Sequence, residues 1–253
     1  MANQYFVFKK MPEIDTTFTI ENREAIHHIF TVMRTNTGDE LRLVFDEGKV
    51  GRAVVVDAVN HIVKLVDTNV VSTELPIEVT IAVGFPKADK LEWITEKATE
   101  LGAHAIFSAP FQWSVAKWDS KKRIKKQEKL EKIALGAAEQ SRRQIIPEVQ
   151  LFEHLSVLTE KFSDFDSVLV AYEASAKAGE RSAFVQQLSQ LKKKERLLLI
   201  FGPEGGISPE EIENFENAGA KTIGLGPRIM RAETAPLYAL SAVSAYFDLF
   251  KMK

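Results

Sequence analysis

The sequence predicts an α/β fold: a parallel sheet covered by helices on both faces, preceded by a small β-rich unit that reads as a barrel. Three observations predict it. From Ile77 onward, apolar strand runs alternate with helical segments. Before Ser72, several short strand candidates crowd around turn signals. Near the C-terminus, two Gly-Pro turns each follow an apolar run, where open α/β sheets take their ligands.

The N-terminal part runs from residue 1 to about 72. Tyr5–Phe8, Thr17–Ile20, Glu40–Phe45, Val50–Val56 and His61–Val66 are strand candidates, with Asp46-Glu47-Gly48-Lys49 as a turn. Between them, Ile26, Ile29, Phe30 and Met33 repeat at helical spacing and predict a helix over about Arg23–Met33. Ser72–Pro76 is the linker, so the expected domains are 1–72 and 73–253.

The second part opens with the strand Ile77–Val83 and the helix Lys90–Leu101, which stops at Gly102. A strand at Ala105–Phe107, a helix over about Lys121–Ser141, a strand at Val168–Ala171 and a helix over Arg181–Leu191 follow. Leu197–Phe201 then leads into Gly202-Pro203-Glu204-Gly205-Gly206. Ser208-Pro209-Glu210-Glu211 reads as a capping box with Pro at the first helical position, and Gly219 as the stop of that helix. A brief run, Thr222–Leu225, leads into Gly226-Pro227-Arg228-Ile229-Met230-Arg231-Ala232-Glu233-Thr234, and Thr234 is placed to cap a closing helix.

Composition narrows the function. The 253 residues carry a net charge of −2, so any nucleic-acid site has to be a local patch. Such a patch is visible from Ala116 to Arg143, where ten Lys/Arg stand against four Asp/Glu. It reads either as a solvated helix face or as a phosphate-contacting surface. Trp113 and Trp118 border it and could stack on bases or lie in the core. The absence of cysteine excludes disulfides, thiolate metal sites and a cysteine nucleophile. No metal-ligand spacing is found among the five histidines. Met1–Lys10 lacks the apolar run of a signal segment, and no run is long enough to span a bilayer, so a cytoplasmic protein with no membrane partner is expected.

Two loops invite an anion or a base. Gly84-Phe85-Pro86-Lys87-Ala88-Asp89-Lys90 opens a helix whose amides could hold an anion, although it is not a P-loop. Glu139-Gln140-Ser141-Arg142-Arg143 ends the basic helix and reads either as a cap or as a grip on base and phosphate. His27 and His28 read as structural or RNA-facing.

With Leu199–Ala235 in view, and above all its two Gly-Pro turns, the chain resembles the RsmE family. His27-His28 with Val32-Met33-Arg34 and Gly38-Asp39 resembles that family's N-terminal domain. Lys87 with Lys97-Ala98-Thr99-Glu100-Leu101-Gly102, and Ala138-Glu139-Gln140-Ser141 with Arg143, resemble its catalytic domain. The resemblance implies a SPOUT-type parallel sheet with a C-terminal trefoil knot, a PUA-like β-barrel before it, and a homodimer whose active site uses both chains. It implies S-adenosylmethionine-dependent methylation of N3 of a uridine in 16S ribosomal RNA, the substrate being the assembled small subunit.

It further implies cofactor-binding residues Gly202, Glu204, Gly205, Leu225, Gly226, Ile229, Met230, Arg231, Thr234 and Ala235, with the loop Tyr172-Glu173-Ala174-Ser175 closing the pocket. Arg231, Glu233 and Arg143 are the catalytic candidates, Glu233 reading as a group that orients an arginine, as an aid to proton removal or as an ion pair that fixes the turn; Arg34, Lys87, Lys117, Glu139, Gln140 and Arg143 are the RNA contacts. Two departures stand out: the arginine common in the family near Trp113 is absent, and Arg142 stands where glycine is frequent. Two other readings stay open: a SPOUT enzyme acting on transfer RNA, and a non-catalytic RNA-binding or ribosome assembly factor.

Overall fold

The structure, a computed structural model, describes residues 4–69, 71–172 and 183–250. The chain groups into two compact units, residues 1–74 with 138–145, and residues 75–137 with 146–253. The segment 138–145, which sequence reading leaves with the second part, thus groups with the N-terminal unit.

In the N-terminal unit, β1 (Gln4–Phe6), β2 (Thr17–Thr19), β3 (Glu40–Val44), β4 (Val50–Asp57) and β5 (Ile62–Asp67) form one sheet in the order β1-β3-β4-β5-β2. β1 runs parallel to β3 and the other neighbours are antiparallel. Tyr5, Leu41, Leu43, Ala53, Val55, Val63 and Leu65 alternate onto one face and pack with Ile20, Ala25 and Ile29. That is the period-2 pattern meeting a short helix. The helix α1 (Arg23–Ile26) is capped by the Asn22 side chain, and from His27 to Val32 it widens into a π-helical turn. The expected helix to Met33 is therefore present but not uniformly α.

The second unit holds a six-stranded parallel sheet in the order β11-β9-β10-β6-β7-β8. Its strands are β6 (Glu78–Gly84), β7 (Ala105–Ala109), β8 (Glu148–Leu151), β9 (Ser167–Ala171), β10 (Arg196–Phe201) and β11 (Lys221–Ile223). The helices are α2 (Lys90–Glu100), α3 (Ser120–Gln140), α4 (Leu155–Glu160), α5 (Ala183–Gln190), α6 (Pro209–Asn217) and α7 (Thr234–Ser244). β10 shows why both faces need cover. Leu197, Leu199 and Phe201 enter one apolar cluster, while Leu198 and Ile200 enter the opposite one. Each such buried leucine contributes about 1.5–3 kcal/mol, so this short run is a main anchor of the sheet. β8 and α4 have no counterpart in the sequence reading, because Glu148–Leu151 is short and half polar. Among the described residues, no helix is long and apolar enough to cross a membrane.

Candidate active site

The strand order places the ends of β10 and β11 on either side of β9. The turn 202–206 leaves β10 and the turn 226–234 follows β11, so both emerge at the same edge of a parallel sheet. Glycine is required in the first turn by close approach. A Cβ on Gly202 would lie 2.8 Å from the Gly206 carbonyl carbon, and one on Gly205 would lie 2.8 Å from both the Cβ and the carbonyl oxygen of Trp113. Gly84, at the end of β6, is as tightly placed: its Cβ would meet Pro203 Cδ at 2.4 Å.

The turn is locked from behind by α6. Ser208 Oγ accepts from the Glu211 amide at 3.2 Å, and Glu211 Oε2 accepts from the Ser208 amide at 2.9 Å, completing the expected capping box. The other Glu211 oxygen accepts from the Gln112 amide at 2.7 Å. The same buried carboxylate thereby fixes the start of α6 and the loop that carries Trp113. Gly219 ends α6 with φ +98°, as its position predicted.

The second turn is held differently. The Arg231 carbonyl accepts from the amides of Thr234 and Ala235 at 2.9 and 3.0 Å. Glu233, not Thr234, occupies the N-cap of α7, and no side chain caps it. The capping role expected of Thr234 is therefore corrected: the helix starts at Thr234 itself, from a backbone turn.

A lysine from a third element reaches both turns. Lys90 Nζ, at the start of α2, lies 2.9 Å from Glu204 Oε1 and 2.9 Å from Glu233 Oε2. The second contact is an ion pair off the hydrogen-bond line. Glu204 Oε1 also accepts from the Lys87 amide at 3.1 Å. The anion expected at the opening of α2 is thus the chain's own Glu204 carboxylate. Burial pushes the Glu204 carboxyl up, but Lys90 and the nearby amides outweigh it and hold it below its ordinary value. Lys90 does the same for Glu233, against partial burial and with help from Arg231. The two carboxylates in turn raise the Lys90 ammonium above its ordinary value.

Between the turns lies a cavity of about 1020 Å³. Of the residues expected to hold a cofactor, Gly202, Glu204, Gly205, Leu225, Gly226, Ile229, Met230, Arg231 and Ala235 line it, and Thr234 does not. Ala171 and Tyr172 from the end of β9, Trp113 and Lys90 also line it. The rest of the loop 172–175 lies outside the described residues. Leu225 packs against the core, whereas Ile229 is 80% exposed at the rim, and Arg228 and Arg231 are exposed.

The remaining expected residues are scattered. Arg34, Lys87, Lys117 and Gln140 are exposed. Glu139 is half-buried, accepts weakly from the Phe6 amide at 3.4 Å, and is pushed up to about 7 by burial. Arg143, expected as a catalytic and RNA-contacting residue, is buried and paired. It is 3% exposed, and Glu74 Oε2 accepts from its Nη2 and Nε at 2.6 and 2.7 Å. Its carbonyl accepts from Gln4 Nε2 at 2.6 Å. A guanidinium so enclosed ties Glu74 into the N-terminal unit; it does not line the cavity. Of the two tryptophans, Trp118 stacks on Phe85 at 4.1 Å and belongs to the core, while Trp113 is 45% exposed on the cavity wall.

Sequence reading missed Lys90 as a site residue. It stood in view beside Lys87, but both of its partners lie far along the chain, and only the folded sheet brings them together.

Residues 73–244 match the RNA methyltransferase domain family, and residues 20–66 match the RNA methyltransferase PUA domain family. The fold and site thus define an RNA methyltransferase with a PUA-like N-terminal domain. Over 98% of its length the chain is 45% identical to ribosomal RNA small subunit methyltransferase E of Bacillus subtilis (strain 168), covering 98% of that protein. The chain belongs to the ribosomal RNA small subunit methyltransferase E family and is an enzyme of that class.

Two solved structures agree with the fold. One, of a hypothetical protein, is 41% identical with a TM-score of 0.87, over 97% of this chain and 99% of that one. The other, a methyltransferase from Legionella pneumophila in complex with bound SAM, is 26% identical with a TM-score of 0.80, over 97% and 98%.

Proposed function

We propose that the chain methylates N3 of a uridine in 16S ribosomal RNA, with S-adenosylmethionine as donor and the cavity between the two Gly-Pro turns as the site. The observation that carries the reading is the convergence of these turns, with their backbone walls, on one cavity at the strand ends. The residues suit the donor. Leu225, Ile229, Met230 and Ala235 offer an apolar slot for an adenine, and Gly202, Gly205 and Gly226 present backbone instead of side chains. Glu204 and Arg231 complete the assigned set on the cavity wall, and Thr234, off the wall, is assigned beside Ala235. When bound, the donor supplies a methyl group already activated on a sulfonium.

What remains for the protein is position and one proton. As the uridine N3 proton passes to solvent water, negative charge spreads onto the ring oxygens, and Arg231 is the donor we assign to them. Glu233 is held below the ordinary carboxylate range by Lys90, which makes it a poor proton acceptor. Its assigned part is to orient Arg231. Arg34, Lys87, Lys117, Glu139 and Gln140 are assigned to RNA, Glu139 the least exposed of them.

We extend the reading to the division 1–72 and 73–253, a closed barrel in the first part, a trefoil knot in the second, a homodimer with a shared site, a cytoplasmic location, and the assembled small subunit as substrate. The test is methyl transfer from labelled S-adenosylmethionine to unmodified small subunits, followed by nucleoside mass spectrometry. A 3-methyluridine product supports the reaction and its RNA substrate. A different methylated nucleoside, formed on transfer RNA only, overturns the substrate. No donor binding at all would leave a non-catalytic RNA-binding factor.

A further inference from the structure

We infer that Lys90 is a positioning residue that clasps the two cavity turns to each other and so keeps the cavity ready for its ligand. The inference rests on the reading that this cavity holds the methyl donor. Neither turn contributes a side-chain hydrogen bond or ion pair to the other among the described contacts. The connection runs through α2: one ammonium stands 2.9 Å from Glu204 of the first turn and 2.9 Å from Glu233 of the second. Lys90 also lines the cavity wall. The Lys87 amide, 3.1 Å from the same Glu204 oxygen, adds a backbone tie from α2 to the first turn. Among the described residues, the second turn has no counterpart to the carboxylate lock that Glu211 gives the first. Its N-cap residue, Glu233, makes no capping bond, and its Oε2 pairs with Lys90.

Two carboxylates face one ammonium. Removing the ammonium leaves two like charges close together and partly enclosed, so the turns are driven apart as well as released. Each turn carries part of the assigned binding set, and a ligand that needs both at once loses affinity when their spacing is free. The cost falls on binding more than on the methyl-transfer step, because Lys90 itself is not assigned to the reacting atoms.

The test uses the full-length protein as wild type, Lys90→Met, Lys90→Arg and the double variant Lys90→Met with Glu233→Gln. Calorimetry measures S-adenosylmethionine binding, steady-state assays separate KM from kcat, and amide hydrogen exchange is read on the ligand-free protein. Lys90→Met is expected to weaken donor binding and raise its KM roughly tenfold, with kcat changed far less. Lys90→Arg retains both ion pairs and stays near wild type. The double variant regains part of the lost affinity, because the repulsion is removed.

In ligand-free Lys90→Met, amides at 204–206 and at 231–235 lose protection together while those inside α6 do not. Unchanged binding in Lys90→Met, or loosening confined to the start of α2, overturns the clasp. If wild type itself fails to bind S-adenosylmethionine, the donor reading falls, and the paired loss of protection still decides the clasp.

Discussion

Arg231 and Glu139 show how differently two charged residues are set by their surroundings. Arg231 is exposed on the cavity wall, and its backbone carbonyl, not its guanidinium, builds the turn. Arg231→Ala should therefore leave folding intact and lower turnover by roughly 10²–10³-fold, the range for losing one oxyanion donor, while RNA affinity changes little. Parallel titration of RNA binding and single-turnover methylation checks this, and equal loss of both would remove its assigned role.

Glu139 lies in the opposite regime. Burial raises its carboxyl from an ordinary 4.5 to about 7. Between those values the folded chain holds a proton that the unfolded chain has released, so its contribution is complete below the lower value and lost as pH rises through the upper one. Glu139→Gln mimics the protonated form. It should match wild type near pH 4.5 and exceed it above pH 7.5 by roughly 1–3 kcal/mol, read from denaturant unfolding at the two pH values. Three residues on, Arg142 sits at φ +60°, in the left-handed region where a side chain is strained. Arg142→Gly should raise stability by about 0.5–1 kcal/mol, seen as a higher melting temperature.

At the scale of elements, α6 carries the sharpest local device. Ser208 is 3% exposed, and its hydroxyl satisfies the Glu211 amide while Glu211 returns the bond. Ser208→Ala should cost about 0.5–2 kcal/mol and, because Glu211 also holds Gln112, should loosen the loop carrying Trp113. Thermal unfolding gives the first effect and Trp113 fluorescence the second. This element was legible in full from Ser208-Pro209-Glu210-Glu211, since a capping box is a local event written in consecutive residues. So was β10, where five apolar residues in a row, closed by Gly202-Pro203, are the length of a strand buried on both faces.

What local sequence could not supply was partnership across the chain. Thr234 looked like a cap, but the turn ahead of α7 is closed by the Arg231 carbonyl. Arg143 looked like a free cation, but Glu74, in the linker, encloses it. Lys90 stood in a loop read as an anion site, and the two carboxylates it meets come from different turns far along the chain.

At the scale of the molecule, the net charge of −2 hides a strongly basic stretch from Ala116 to Arg143. Folding pairs part of that charge with other side chains. Arg123 pairs with Glu153 at 2.9 Å, Lys129 with Glu92 at 2.6 Å, and Arg143 with Glu74 at 2.6 Å. Lys126 lies 4.8 Å above the Trp118 ring. Lys117, Lys121, Lys122, Lys125, Lys132 and Arg142 remain exposed, and these are the side chains available to phosphates. An RNA held by about five such contacts would lose affinity with a log–log salt slope of roughly −3 to −4. The slope can be measured by filter binding of a small-subunit RNA fragment across a salt series. Replacing Lys121 and Lys125 by Glu should make it shallower by about 1–2, because contacts that no longer form release no counterions. A slope near zero in wild type would place RNA recognition away from this helix. An unchanged slope in the double variant would leave the phosphates to the lysines that remain.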